Sequence, residues 1–287
     1  MKVLVTGVKG QLGYDCVREL KERGFNDIIP VDIDELDITD EQAVHSFILN
    51  KKPNVIMHNA AFTAVDKAEE NIEIARKVNV LGTKYLAEAA EEIGAKMVYI
   101  STDYVFPGDG VRFYEVDDKT GPLGAYGQTK LDGEIEARRA CSRLFVVRIS
   151  WVFGINGNNF VKTMLKLGKT HKELTIVNDQ IGSPTYTYDL SKLLCDMIVT
   201  EKYGTYHATN EGICSWAEFA TEFFNQANMD VVVHPVTTEE YFKEKPIQAK
   251  RPLNSRLSKK SLDEGGFNRL PSWQDALNRY LKELKVL

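Results

Sequence analysis

Short apolar stretches alternate with segments of helical length through the first half of the chain, and this alternation constrains the fold more than any other feature. Helices are predicted over Leu12 to Arg23, after Asp40, and over Ile74 to Ile93. The strand-like stretches before and between them are KVLVTG (2–7), DIIPVDI (27–33), NVIMHNA (54–60) and KMVYIST (96–102). Strands and helices that alternate in this way form a parallel sheet with helices on both faces. The pattern therefore predicts an α/β fold with a Rossmann-like, doubly wound parallel sheet.

A helix predicted after Tyr126 and a buried strand predicted over LFVVRISWVFG (144–154) continue this alternation, and the pattern is looser beyond Gly154. SWQDALNRYLKEL (272–284) predicts the closing helix, because it opens with a serine cap and carries an apolar stripe. We expect much of the chain beyond Gly154 to form a smaller mixed α/β lobe that binds the substrate. The expected boundaries are a dinucleotide-binding domain over 1–152 and roughly 183–211, and a discontinuous second lobe over 153–182 and 212–287.

Composition and charge exclude several classes of protein. The 287 residues carry a formal net charge of -5 without a long cluster of Lys or Arg, so we expect no nucleic-acid partner. Apolar runs are too short for a membrane span or a secretion signal, so we expect a cytoplasmic protein with no membrane partner. Neither a zinc site nor a disulfide framework is expected, because the cysteines lie far apart: Cys16, Cys141, Cys195 and Cys214.

A glycine-rich turn joins the first strand to the first helix. Gly7, Gly10 and Gly13 have the spacing GxxGxxG, with Gln11 and Leu12 between the last two. Glycine is required where the chain turns sharply, where the backbone approaches a pyrophosphate and where the helix meets the strand. The unpaired N–H groups at the start of the helix then bind the phosphates. Spaced glycines also occur in simple turns, but their position after the first strand favours dinucleotide binding.

Three further segments are predicted to contact the cofactor. Asp32, at the end of the second strand, can accept hydrogen bonds from the adenosine ribose hydroxyls and would repel a 2′-phosphate, so we expect NADH to be accepted. NADPH stays open, because Asp32 can rotate away and Lys9 can reach a phosphate. Asp37 and Ile38 either face the adenine or, as an equal alternative, form a local cap before Thr39. The third strand ends in small residues that suit either a bound cofactor or ordinary packing: Ala60, Ala61 and Thr63.

Tyr126 and Lys130 lie four positions apart in AYGQTK, at the start of a predicted helix. Such a pair shares one face of any helix, so its meaning depends on its surroundings. Hydride transfer to a carbonyl leaves an alkoxide that a donor must protonate. An ammonium roughly 4 Å from a phenol favours the phenolate by up to about 4 kcal/mol, or about three pKa units, so Lys130 is predicted to lower the pKa of Tyr126 toward neutrality. Thr102 either hydrogen-bonds the substrate oxygen or is an ordinary strand-end hydroxyl.

Several stretches resemble the extended short-chain dehydrogenases/reductases and, within that superfamily, the dTDP-4-dehydrorhamnose reductases. The resemblance covers nearly the whole chain through TGVKGQLG, HNAAFTAVDKAE, NVLGT, STDYVFPGDG, YGQTK, RISWVFG, GNNFVKTM, NDQIGSPT and RPLNSRL. It implies reduction by NADH or NADPH of the C4 keto group of dTDP-4-dehydro-6-deoxy-L-mannose to dTDP-L-rhamnose. It also implies a monomer or homodimer that needs no metal for chemistry, with Thr102, Tyr126 and Lys130 as the catalytic group.

The resemblance implies binding roles for further residues. Asn79 matches a helix asparagine of the cofactor site and supports a water relay to Lys130. Trp151 is equally typical of a core aromatic residue at a strand end. A diphosphate needs fork-shaped cationic donors, for which Arg251 is the first candidate, although it also suits a plain surface cation. The residues implied to face the substrate are Asp103, Tyr104, Trp151, Asn159, Gln180, Arg251 and Asn254.

Three other functions stay open. Sugar-nucleotide dehydratases carry Thr-Asp-Glu where this chain has Tyr104, and the missing carboxylate favours simple reduction. A 4-epimerase also uses Tyr and Lys but holds its cofactor tightly, and GQLG does not resemble that subgroup. A non-catalytic regulatory subunit that resembles these reductases would bind a dinucleotide and a partner enzyme.

Some relatives dimerise around a divalent ion, but only Asp15 and Glu283 lie in comparable stretches, so no metal site is predicted.

Overall fold

Strands and helices alternate along most of the chain in the computed structural model, which describes residues 1–243 and 249–287. The strands are β1 (Val3–Thr6), β2 (Ile28–Val31), β3 (Val55–His58), β4 (Lys96–Thr102), β5 (Leu144–Ile149), β6 (Val152–Phe153), β7 (Glu173–Val177), β8 (Ile181–Gly182), β9 (Thr185–Tyr186), β10 (Gly204–His207), β11 (Asn210–Glu211), β12 (Cys214–Ser215), β13 (Val232–Val236), β14 (Asn254–Ser255) and β15 (Leu270–Ser272). The helices are α1 (Gln11–Glu22), α2 (Glu41–Lys51), α3 (Val65–Glu70), α4 (Ile72–Arg76), α5 (Thr83–Glu92), α6 (Ala125–Ala140), α7 (Phe160–Gly168), α8 (Thr187–Ile198), α9 (Trp216–Gln226), α10 (Thr238–Phe242), α11 (Lys260–Gly265) and α12 (Trp273–Glu283). None of the helices in these two ranges is long and apolar enough to cross a membrane.

A six-stranded parallel sheet in the order β10-β5-β4-β3-β1-β2 forms the centre of the fold. One apolar cluster packs α1 and α8 against one face, and a second packs α2, α5 and α6 against the other. The predicted α/β fold with a doubly wound parallel sheet is therefore confirmed. The strand order reverses at β1, with β2 on one side and β3 on the other, and such a switch point is where ligands of parallel sheets bind.

Two predicted elements are interrupted where they approach this edge of the sheet. The helix predicted over 74–93 contains a π-helical turn over Lys77–Gly82, a feature that is frequent at functional sites. The strand predicted within 144–154 is split between β5 and β6, because Trp151 has a left-handed backbone with φ 50°. Strain of this kind persists where the surrounding structure enforces it. Neither interruption shows in the apolar pattern, which continues through both.

A third apolar cluster gathers α7, α9 and α12 with the short strands around them. Aromatic side chains dominate it, among them Phe153, Phe219 and Tyr280, and the predicted closing helix is one of its walls. This cluster supports our proposed division into two lobes. The boundary is less sharp than expected, since Leu262, Phe267 and Leu270 pack in the cluster beneath the sheet.

Candidate active site

The glycine turn after β1 depends on close contacts between backbones. Gly7 has φ +68°, and a Cβ there would lie 2.8 Å from the amide nitrogen of Ala60 after β3. A Cβ on Gly13 would lie 2.2 Å from the carbonyl oxygen of Gly7, so only glycine lets α1 begin this close to β1. Gly10 is the N-cap residue of α1 and has no capping side chain. The unpaired N–H groups with which a helix begins therefore lie beside this turn, as a dinucleotide phosphate requires.

Buried polar side chains hold the loop after β3 against this turn. The hydroxyl of Thr6 accepts hydrogen bonds from the amides of Asn59 and Ala60, both at 3.1 Å. The ring nitrogens of His58 lie 3.0 Å and 3.1 Å from the hydroxyls of Thr6 and Thr83. Burial lowers the pKa of His58 to about 3, so the imidazole is neutral and can donate through one nitrogen and accept through the other. No sequence motif signals this network, because its members lie on β1, β3 and α5.

Asn79 lies in the π-helical turn and hydrogen-bonds to the loop after β3 and to α6. Its side chain accepts a hydrogen bond from the amide of Phe62 at 2.8 Å and donates to the carbonyl of Phe62 at 3.2 Å and the hydroxyl of Thr129 at 3.1 Å. Within the described chain it does not line the cleft at the switch point. The water relay to Lys130 that the resemblance implies for Asn79 stays a prediction. The amide ties the loop after β3 to α6, the helix that carries Tyr126.

A cleft of about 710 Å³ opens at the carboxyl ends of β1, β3 and β4. It begins at the glycine turn and ends at the side chains expected to carry out the chemistry. The expected site residues that line it are Gly7, Gly10, Gln11, Leu12, Gly13, Asp32, Asp37, Ile38, Ala60, Ala61, Thr63, Thr102, Asp103, Tyr104, Tyr126, Lys130 and Trp151. The residues present fit an elongated dinucleotide with its phosphates at the glycine turn and its reactive end beside Tyr126.

Acidic side chains surround the end of β2. Asp32 accepts hydrogen bonds from the amide of Lys9 at 2.9 Å and from that of Ile33 at 3.0 Å, which holds its carboxylate at the rim of the cleft. The ammonium of Lys9 pairs with Asp34. Asp37 accepts from the amide and hydroxyl of Thr39, at 2.9 Å and 2.8 Å, so it forms a local turn while also lining the cleft. The helix cap that follows is Asp40, which accepts from the amide of Ala43.

Tyr126 and Thr102 meet at the inner end of the cleft. Burial raises the pKa of the Tyr126 phenol to about 12, although the nearby hydroxyl of Thr102 acts to lower the pKa. The predicted fall toward neutrality is therefore wrong for this structure, because burial outweighs the stabilisation of the phenolate. The phenol is protonated at neutral pH and available as a proton donor. Its ring packs edge-on against that of Tyr104, with 5.4 Å between the centroids.

Lys130 lies on the same face of α6 as Tyr126, one turn further along. Its ammonium is 4.1 Å from the centroid of the Tyr99 ring. The hydroxyl of Tyr99 donates to the carbonyl of Lys130 at 3.0 Å, which fixes the ring beneath the ammonium. Burial lowers the pKa of Lys130 to about 7, and the buried carboxylate of Glu134 opposes that change. Lys130 can therefore change its charge near neutral pH.

Asp103 is buried at the end of β4 and joins the two lobes. The hydroxyl of Thr102 donates to one carboxylate oxygen at 2.9 Å, and the hydroxyl of Ser255 on β14 donates to the other. Burial raises the pKa of Asp103 to about 6, so a fraction of this carboxyl is protonated at neutral pH. Only 2% of the residue is exposed, and both of its oxygens are engaged. Asp103 lines the cleft, and its expected role near the substrate stays a prediction.

A second cavity, of about 470 Å³, adjoins the cleft and lies in the smaller lobe. Tyr104 and Trp151 line both spaces, so they form the passage between them. Trp151 stacks on Trp216, with 3.9 Å between centroids and 16° between planes. Four of the expected substrate residues line this cavity: Tyr104, Trp151, Gln180 and Arg251. An elongated ligand that begins beside Tyr126 can continue between these aromatic rings.

Residues 1–286 match the family model described as the RmlD substrate binding domain. The chain belongs to this family. It is 42% identical to the Bacillus subtilis spore coat polysaccharide biosynthesis protein SpsK, over 98% of this chain and 97% of that protein. The structure of a dTDP-4-dehydrorhamnose reductase from Clostridium acetobutylicum has a TM-score of 0.95 and 45% identity, covering 99% of this chain and all of that one. The corresponding Bacillus anthracis reductase, solved in complex with NADP, has a TM-score of 0.94 and 43% identity, covering 99% of this chain and 100% of that chain. The resemblance inferred from the sequence is confirmed.

Two substrate residues expected from the sequence have structural roles in this RmlD-family chain. Asn159 caps α7 by accepting from the amide of Lys162, and its amide donates to Gln11, to the carbonyl of Gly154 and to the hydroxyl of Tyr280. Asn254 donates to the carbonyls of Asp109 and Arg112. Neither lines the two cavities as the described residues define them. Their side-chain amides are used by the fold, and their expected contacts with the nucleotide part of the substrate stay predictions.

Several lining residues were missed by sequence reasoning. Trp216, Phe160 and Phe242 line the second cavity, and Ser150 lines the cleft. Trp216 begins α9 after the cap Ser215, where an aromatic residue is indistinguishable from ordinary core packing in the sequence. The positive φ of Trp151, its stacking partner, is likewise invisible before the fold is known.

Proposed function

We propose that the protein reduces the C4 keto group of dTDP-4-dehydro-6-deoxy-L-mannose to dTDP-L-rhamnose with NADH or NADPH. The observation that carries the proposal is the convergence of Thr102, Tyr126 and Lys130 at the inner end of a cleft that starts at the glycine turn. The names of the two similar solved structures, both dTDP-4-dehydrorhamnose reductases, support the substrate. The aromatic second cavity supports a nucleotide-sized group beyond the reacting sugar.

Each side chain of the group has a distinct proposed role. A reduced nicotinamide supplies a hydride to the carbonyl carbon when it is bound. Thr102 holds the carbonyl oxygen, where negative charge develops during the reaction. Tyr126 donates its proton to that oxygen, and its raised pKa keeps it in the protonated form needed for this step. Lys130 holds the ribose hydroxyls next to the nicotinamide and, when protonated, stabilises the phenolate that the transfer leaves.

The phosphates of both ligands have proposed binding groups. The glycine turn and the start of α1 hold the dinucleotide pyrophosphate. Arg251, which lines the second cavity, pairs with the diphosphate of the substrate through its planar guanidinium. Tyr104, Trp151 and Gln180 line the path between the reacting carbonyl and that diphosphate. The Thr102 hydroxyl donates its one proton to Asp103 in the structure, so we propose that it turns from Asp103 to the substrate oxygen when the substrate binds.

The test is an assay of NADH and NADPH oxidation with dTDP-4-dehydro-6-deoxy-L-mannose, with the product identified by chromatography against dTDP-L-rhamnose. Turnover with either cofactor is expected, together with its loss in Tyr126→Phe. Interconversion of 4-epimers without net oxidation of the cofactor would identify an epimerase instead. Tight dinucleotide binding without any turnover would identify a non-catalytic regulatory subunit.

A further inference from the structure

The short helix α3 makes contacts with both the second cavity and the helix of Tyr126. Asp66 accepts two hydrogen bonds from one terminal nitrogen of Arg251, at 3.0 Å and 2.8 Å. It also accepts from the amide of Ala249 at 3.2 Å, while the other terminal nitrogen of Arg251 donates to the carbonyl of Ala249 at 3.1 Å. Asp66 therefore fixes both the guanidinium of Arg251 and the backbone amide of Ala249. These contacts tie α3 to the segment that carries Arg251.

Glu69, one turn further along α3, reaches the start of α6. Its carboxylate accepts a hydrogen bond from the amide of Ala125 at 2.8 Å. Gly124, the N-cap of α6, has no side chain that can do this, and a Cβ there would lie 2.3 Å from the Glu69 oxygen. A glycine at the cap thus makes room for a carboxylate from another helix. The capped amide is one residue before Tyr126.

Between these two contacts α3 is fixed by packing. Ala68 is fully buried and clusters with Ala75 and Ala125, and the rings of Phe62 and Tyr126 pack against the cluster. The face that carries Tyr126 is therefore in contact with the same helix that holds Arg251. Displacement of α3 would move both ends of the site together.

We propose that Asp66 and Glu69 are positioning residues with separate tasks: Asp66 aims Arg251 at the substrate, and Glu69 sets the start of the helix that presents Tyr126. The proposal rests on the function proposed above. A carboxylate partner removes rotamer freedom from an arginine before the ligand arrives, so it improves substrate binding. An acceptor at the first turn of a helix satisfies an otherwise unpaired N–H and complements the helix dipole, so it stabilises the geometry of the following residue.

The two tasks predict opposite kinetic signatures for residues three positions apart. Asp66→Ala should raise KM for the dTDP-sugar by about tenfold or more and leave kcat nearly unchanged, since it removes a charge-assisted pair that acts on binding. Glu69→Ala should lower kcat roughly fivefold with KM nearly unchanged, which is the scale of a lost helix cap. Glu69→Gln should restore kcat, because its amide oxygen can accept the same hydrogen bond.

The experiment compares these variants with Glu70→Ala, a matched substitution of an exposed residue on the same helix. Steady-state kinetics, thermal unfolding and calorimetric titration with dTDP alone are measured for each. The Asp66 variant should also bind dTDP about tenfold more weakly, and the Glu69 variants should bind it like the parent. If both variants showed the same pattern of a lower kcat, a higher KM and a lower Tm, α3 would be merely structural. That result would overturn the inference. A parent protein that neither reduces the sugar nor binds dTDP would instead overturn the proposed function.

Discussion

The ammonium of Lys130 lies 4.1 Å from the centroid of the Tyr99 ring, beneath the helix turn that presents Tyr126. The face of an aromatic ring attracts a cation but replaces only part of the hydration that the ammonium loses. Burial accordingly lowers the pKa of Lys130 to about 7 and raises that of Tyr126 to about 12. Near neutral pH the phenol is therefore protonated, so the proposed proton donor carries its proton before substrate binds, while Lys130 is divided between its charged and neutral forms.

The buried lysine predicts a dependence of stability on pH. The pKa of Lys130 is about 7 in the folded protein, against an ordinary value of 10.5. Between these two pH values the unfolded chain therefore binds more protons than the folded protein does. The free energy of unfolding accordingly rises with pH across that window. Lys130→Met should therefore be more stable than the parent near pH 7, with an advantage that shrinks toward pH 10. A pKa difference of one between the folded and unfolded states corresponds to roughly 1.4 kcal/mol, so the gain in unfolding free energy near pH 7 is several kcal/mol.

Chemical denaturation at pH 7 and pH 9.5 measures this difference. Lys67→Met, a substitution of an exposed lysine, serves as the control and should show no such trend. A parent-to-variant difference in unfolding free energy that stays constant with pH would contradict the assigned cause. The same Lys130 variant should bind NADH or NADPH more weakly and turn over more slowly.

Removal of the proposed proton donor should separate chemistry from binding. Tyr126→Phe keeps the ring that packs against Tyr104 and loses the proton, so turnover should fall by about 10²- to 10⁴-fold. Dinucleotide affinity, measured by fluorescence titration, should be nearly unchanged. Tyr14→Phe, which alters an exposed tyrosine, should behave like the parent. Turnover at the parental rate in Tyr126→Phe would show that another group supplies the proton.

The carboxylates after β2 predict how the cofactors are distinguished. Asp32 lines the cleft, and Lys9 is already paired with Asp34, so a 2′-phosphate would meet negative charge at this rim. NADH should be used by the parent, and Asp32→Asn should raise the ratio of kcat/KM for NADPH to that for NADH by about tenfold, the effect of removing about 1.4 kcal/mol of repulsion. Steady-state kinetics with both cofactors test this. An unchanged ratio would show that Asp32 does not face the ribose.

The glycine turn predicts a steric limit that is independent of catalysis. Gly13→Ala would place a Cβ 2.2 Å from the carbonyl oxygen of Gly7, so α1 must shift away from β1. We expect the free energy of unfolding to fall by about 1–3 kcal/mol, typical of an overpacked contact, and dinucleotide binding to be lost. Gly24→Ala is the control, since its Cβ would meet nothing within 4 Å and only its φ of +79° adds strain of about 1 kcal/mol. Equal losses in the two variants would show that close packing of α1 on β1 is not the cause.

Local patterns in the sequence predicted much of the fold and one side of the site. The alternation of strands and helices and the spacing of Gly7, Gly10 and Gly13 depend on backbone geometry over a few residues, so they could be recognised without the tertiary structure. The same holds for Tyr126 and Lys130, whose spacing places them on one face of α6. The family resemblance supplied the substrate class, which no local geometry contains.

Only the tertiary structure decided the contacts between distant segments and the burial that these contacts create. Asp66 and Arg251 are separated by 185 residues, and no periodic pattern links them. The stacking of Trp151 on Trp216 and the structural use of Asn159 also depend on how the second lobe packs against the sheet. The sequence indicated the groups that we propose to carry the chemistry, whereas packing determined the direction of their pKa shifts, because desolvation depends on every neighbour that excludes water.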